Sequence, residues 1–242
     1  MSVRMKKELI EGGMQLRAAP QQFAVEAEAA LPGGLRDEVR LFYTEAQAEP
    51  AQAEAVGNRL TVSGRVNFRA LYAQGDLTRV RCAEGSGDFS RVLTIMPGEG
   101  SAAYAPHCEI TSATARVFNG RLLLRAEMNV TAQADAARQV NAVTQVEEDG
   151  AQVLSQTLEL QQCVGGGESS GLIRGEFELA PALQVEEALL AGADARVEDI
   201  IGGADGRATV TGTIDLTVCH ASRMPGRPLV YTQHSMPFEQ TV

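Results

Sequence analysis

Four cysteines and three histidines carry most of the reactive chemistry available to this 242-residue chain. The cysteines are Cys82, Cys108, Cys163 and Cys219, separated by 26, 55 and 56 residues. That spacing fits neither a zinc ribbon nor a redox Cys-x-x-Cys pair. Two of them adjoin histidines, in His107-Cys108 and Cys219-His220, while His234 stands apart. A Cys/His set invites a zinc reading. In an extended strand, however, neighbouring side chains point to opposite faces. Each dipeptide then offers one ligand to a common site, so no metal is expected. The thiols read instead as small, half-buried apolar side chains.

Other reactive patterns are missing. The sequence has no Gly-x-Ser-x-Gly elbow, and no histidine spacing suggests a base beside a nucleophile. Gly165-Gly166-Gly167-Glu168-Ser169-Ser170-Gly171 lacks the Gly-Lys-Ser/Thr end of a phosphate loop and reads as a linker. The acidic runs Glu147-Glu148-Asp149 and Glu186-Glu187 read as solvated turns or a short helix rather than a carboxylate dyad. No catalytic residue and no cofactor site is expected, and the chain is not expected to be an enzyme. Lys and Arg number 21 against 31 Asp and Glu, a formal net charge of −10 with no basic patch, which disfavours nucleic acid as a partner. No stretch approaches ~18 uninterrupted apolar residues, so no membrane span is expected. No apolar run follows Arg4, Lys6 and Lys7, so no secretory signal is expected.

What positions these residues is an internal repeat. One copy is Asn58-Arg59-Leu60-Thr61-Val62-Ser63-Gly64-Arg65-Val66-Asn67-Phe68. A second runs from Gly120-Arg121 to Val130, and a third from Gly206-Arg207 to Leu216, offset by 62 and then 86 residues. Alternation is strict. Leu60, Val62, Gly64, Val66 and Phe68 point one way, Thr61, Ser63, Arg65 and Asn67 the other. The second copy sets Leu122, Leu124, Ala126, Met128 and Val130 on one face, with Leu123 the exception. The third sets Ala208, Val210, Gly212, Ile214 and Leu216 there. Period two with one apolar face predicts half-buried strands. The Gly57-Asn58, Asn119-Gly120 and Asp205-Gly206 dipeptides before each copy predict hairpin turns. Position seven is small each time (Gly64, Ala126, Gly212), which predicts a shared kink or a closely packed neighbour. Asp at Val62, Leu124 or Val210 is expected to unfold the module that holds it.

The outer copies share more. Phe89-Ser90 lies 29 residues after Leu60, and Phe238 lies 30 after Ala208. Leu31-Pro32 and Ala180-Pro181 precede them in similar places. Val185-Glu186-Glu187-Ala188-Leu189-Leu190 is expected to form a turn or two of helix. The fold expected is mainly β: two similar antiparallel sandwich-like modules joined by a smaller β unit. Their bounds are an N-terminal extension 1–19, a first module 20–98, a partial unit and Gly-rich linker 99–172, and a second module 173–242. The junction Met96-Pro97-Gly98-Glu99-Gly100-Ser101 has linker composition.

These motifs, in this order, resemble the SPOCS-type domain of sporulation proteins in endospore-forming Firmicutes, the family of SipL-like spore-coat proteins. The resemblance rests on Phe23 to Pro32, on Asn58 to Tyr72 with its Leu71-Tyr72 end, and on Phe89-Ser90, repeated in Val185-Glu186-Glu187, Gly206 to Cys219 and Pro237-Phe238. It covers Glu8 to Val242. The third copy departs by ending in Val218-Cys219-His220, and no LysM-type module follows, so peptidoglycan contact is not expected. The resemblance implies a structural role in the spore envelope, coat or exosporium, for a protein made in the mother-cell cytoplasm and deposited on the spore surface. It implies a homo-oligomer built through β-edges, or through Met1 to Gln22 added as a strand to a neighbour. The alternative is an adaptor that docks another coat protein without assembling itself. In such a layer Cys82, Cys108, Cys163 and Cys219 are candidates for disulfide cross-links, with Cys163 expected to be the most exposed.

Overall fold

The computed structural model describes residues 4–31, 38–75, 79–95, 104–147, 167, 169–203 and 205–242. Among them the fold is mainly β, with ten antiparallel strands, one 3-10 turn at Pro181–Leu183 and no α-helix. The strands are β1 (Arg4–Arg17), β2 (Gln21–Ala30), β3 (Val39–Val56), β4 (Arg59–Gln74), β5 (Val80–Thr94), β6 (Ala105–Phe118), β7 (Arg121–Glu147), β8 (Val185–Gly202), β9 (Ala208–Ser222) and β10 (Leu229–Thr241).

The three repeats are β4, β7 and β9, each the central strand of its own sheet. Sheet A sets β6 on one edge of β7 and β2 on the other. Sheet B is β3-β4-β5 and sheet C is β8-β9-β10. The turns form where the sequence places them. Gly57, Asn119, Gly120 and Gly206 all take positive φ, a conformation that favours Gly and Asn.

Sheets A and B face each other as a sandwich around one core. From β4 come Leu60, Val62, Val66, Phe68 and Ala70; from β7 come Leu122, Leu124, Ala126, Met128 and Val130. All ten are at most 1% exposed. The sheet edges also approach. β3 lies beside β6, and β2 lies beside β5. Gly87 allows the latter approach: a Cβ there would stand 2.7 Å from the Glu26 carbonyl oxygen. The Phe23 and Phe89 rings meet 5.8 Å apart at the same seam. Burial of these apolar faces, at ~25 cal/mol per Å², is the main force holding the sandwich.

The strands β6 and β7, which fall in the partial unit 99–172, lie against sheet B and share its core. The N-terminal extension supplies β1, which pairs with the chain's own β7, Leu16 opposite Ala134 and Met5 opposite Val146. β1 and β2 therefore follow one another along a single edge of the 27-residue β7.

One sequence expectation changes. Val185 to Leu190 is not helical but opens β8. Bulges between Val185 and Glu187 and between Ala188 and Leu190 break the period of two. Those bulges let adjacent Leu189 and Leu190 both be buried, and the resulting apolar spacing imitates a helix in sequence. Pairing with Cys219 to Ser222 and burial against Leu71 and Val80 override helix propensity. This smaller core joins sheet C to the sandwich. Glu186 on β8 adds an ionic link: it bonds Arg223, just past the end of β9, and stands 4.0 Å from Arg79 beside β5.

The junction at Met96 to Ser101 lies outside the described residues, as do Pro32, Glu148, Asp149 and Cys163.

Candidate functional site

Alternation along β6 and β9 distributes the Cys/His residues as an extended strand must. His107 is exposed and Cys108 half-buried, on opposite faces of β6. Cys219 and His220 are both buried, but again on opposite faces of β9. Cys219 packs in the small core beside Cys82 and lies opposite Tyr231 in the β9–β10 register. His220 Nε2 stands 2.9 Å from Thr232 Oγ1, and its Nδ1 is buried without a partner. Burial, then the neighbouring His234, holds His220 below the ordinary histidine range and favours the neutral ring. His234 stacks on Phe177 with centroids 4.1 Å apart. Among the described residues no three His, Cys, Asp or Glu side chains gather closely enough to hold a metal ion. Cys82, Cys108 and Cys219 are free thiols, each raised above the ordinary range by burial.

Several carboxylates pair with arginines across strands. Arg65 bonds Asp88 at 2.8 Å, Arg125 bonds Glu26 at 3.0 Å, and Arg121 bonds Glu28 at 2.6 Å. These join register partners or near partners on the outer faces, a stabilisation of the cross-strand kind. Exposed pairs of this sort contribute little each.

The feature that stands out is a sheet built like a core but left open. Sheets B and C match strand by strand. β4 carries Gly64 opposite Phe89 on β5; β9 carries Gly212 opposite Phe238 on β10. A bulge between Pro50 and Gln52 faces Gly64 and Ser63, and one between Val197 and Asp199 faces Gly212 and Thr211. A second matched pair lies between Leu41 and Tyr43 and between Ala188 and Leu190. The glycines at position seven of the outer copies are thereby explained. A Cβ on either glycine would strike the carbonyl oxygen of Glu49 or Arg196 and, at 2.8 Å, the phenylalanine ring.

The burial of the two sheets differs. Val62, Val66 and Phe68 are sealed, whereas their counterparts Val210, Ile214 and Leu216 are only half-buried. On β8, Val197 and Ile200 are 52% and 63% exposed. The third repeat strand was expected to build a core like the others; its apolar face is present, but the cover is incomplete among the described residues.

Part of the cover exists. The segment 169–179 crosses the open face beside β10 as β2 crosses beside β5. Gln240 Nε2 donates to Ser169 Oγ at 2.8 Å, Gly175 meets Met236, and Phe177 meets His234. Gly175 follows Glu26, and Met236 follows Gly87, by the same 149 residues. This segment stays exposed and takes no ladder hydrogen bonds. The recurrence of Leu31-Pro32 as Ala180-Pro181 is the sequence signal that marks it. Between the segment and sheet C lies an open groove of about 790 Å³, lined by Ile173, Phe177, Ala193, Ile214, Leu216 and Met236. Arg174 and Glu176 also line it, so the groove offers an apolar floor with one residue of each charge on the crossing segment.

No protein-family model, curated protein or solved structure matches the chain.

Proposed function

We propose that this chain is a non-enzymatic structural protein of the spore envelope, coat or exosporium, that associates with copies of itself. The single observation behind self-association is the open apolar face of sheet C, whose residues alternate as a core does yet remain half-exposed. Exposed apolar surface of this extent and order favours association. The spore setting, and with it synthesis in the mother cell and deposition on the spore surface, is supported by the resemblance of the ordered motifs to SPOCS domains. The structural rather than catalytic role is supported by the placement of the ionisable groups. Arginines and carboxylates pair across strands, and the thiols sit in apolar surroundings.

The same open face also suits an adaptor that docks another coat protein. Mass separates the two readings. A self-associating protein gives large species by light scattering and ordered objects by electron microscopy of the purified chain. An adaptor stays monomeric or dimeric until its partner is added. Dispersed monomers at high concentration, with and without reductant, overturn self-association.

A further inference from the structure

Sheet B shows what a sheet of this design needs for closure: a strand crossing beside its third strand, then a two-stranded ribbon covering the rest. β2 and the β6–β7 pair supply these. Over sheet C the crossing segment 169–179 is in place, and among the described residues the ribbon is not.

The chain carries a second ribbon elsewhere. Past Gln133, β7 leaves β6 behind and continues to Glu147 paired only with β1. The other edge of its second half pairs with no strand among the described residues. Met5, opposite Val146, is 56% exposed, and Ile10, Ala142 and Val146 are half-buried. This ribbon extends the strand whose first half already covers sheet B. It also holds the only two lysines of the chain, Lys6 and Lys7. β8, at the rim of the open face, carries Glu186, Glu187, Asp194, Glu198 and Asp199 against a single Arg196.

Building on the self-association reading, we infer that the β1–β7 ribbon of one copy closes the open face of sheet C in a second copy. Shape selects the occupant: among the described residues no two-stranded antiparallel ribbon covers the face, and β1 with the second half of β7 presents one with apolar side chains still in water. Charge is compatible: β1 carries Arg4, Lys6, Lys7 and Arg17 against Glu8 and Glu11, with Lys6 paired to Glu8 within the copy, and the rim of β8 is acidic. The contact is heterologous, ribbon to face. Each copy therefore keeps one unused surface of each kind, and the assembly grows as an open chain unless rotation closes a ring.

The test uses the full chain in three forms: wild type, Ile10→Glu on the ribbon, and Leu216→Glu on the face. Circular dichroism first verifies that each variant keeps its strand content; both residues are only half-buried in the monomer. Each variant alone is expected to lose association by at least about tenfold in dissociation constant. An equimolar mixture is expected to form a heterodimer and stop there, because each variant keeps the surface that the other lacks. In wild type, carbodiimide is expected to join Lys6 or Lys7 to a β8 carboxylate between copies, read by mass spectrometry of mixed light and 15N-labelled protein. Wild type that assembles while both variants assemble equally well overturns the ribbon-to-face contact and leaves self-association standing. Cross-links confined within one copy also overturn it. Wild type that stays monomeric at every concentration overturns both.

Discussion

The ring of Phe89 rests directly over Gly64, close enough that a Cβ on the glycine would lie 2.8 Å from Cζ. Phe238 stands over Gly212 in the same way, across the corresponding pair of strands. This contact, with the bulge beside it, makes sheets B and C two versions of one design. Gly64→Ala is therefore expected to destabilise the sandwich by about 1–3 kcal/mol, since both the ring and the Glu49 carbonyl must shift. Urea unfolding of the variant measures it, and an unchanged midpoint contradicts the packing described.

Three aspartate substitutions separate a sealed core from an open one. Val62 and Leu124 are at most 1% exposed, and aspartate at either buries a carboxylate without a partner. Both variants are expected to be unfolded by circular dichroism. Val210 occupies the same repeat position as Val62 but is half-buried. Val210→Asp is expected to leave the monomer folded while abolishing association, the reverse of what three identical cores would give. Light scattering and circular dichroism on one sample check both halves.

Glu186 ties the sandwich to sheet C and has its carboxyl held below the ordinary value of 4.5, first by the Arg223 hydrogen bond. A lowered carboxyl contributes stability that is complete above its unfolded value and disappears as pH falls through the folded one. Glu186→Gln is thus expected to be less stable than wild type at neutral pH. The difference should shrink toward zero as the pH drops below the ordinary carboxylate range. A difference that persists unchanged in acid points to packing rather than charge.

The thiols of Cys82, Cys108 and Cys219 are raised by burial, so less thiolate is present at pH 8 than for a free cysteine. Iodoacetamide is expected to modify all three more slowly in the folded protein than in urea, with Cys219, the one fully buried, the slowest. Equal rates in the two states contradict the burial of these residues. Cross-linking of a mature layer through Cys219 needs an opening of the small core first.

Much of this molecule was legible in the residue order because the signals involved are local. Alternation in Leu60 to Phe68 and Leu122 to Val130 identifies strands and the inward face of each. Gly57-Asn58 and Asn119-Gly120 mark turns by their tolerance of positive φ. The recurrence of Gly64 with Phe89 as Gly212 with Phe238 announces two related sheets before any coordinates. The partner of each strand was not legible. Nothing in β7 states that its first half lies between β6 and β2, strands that end and begin 75 residues apart in the chain (Ala30 to Ala105), or that β1 occupies its second half. An apolar face carries no label naming the sheet that will cover it, and backbone hydrogen bonds are alike at every register. The Val185 to Leu190 stretch misleads for the same reason, since bulges set by pairing with β9 erase the local period. Only the tertiary structure decides that the faces of β4 and β7 close upon each other while the face of β9 stays open to solvent, because closure depends on which second sheet arrives, and that is a property of the whole chain.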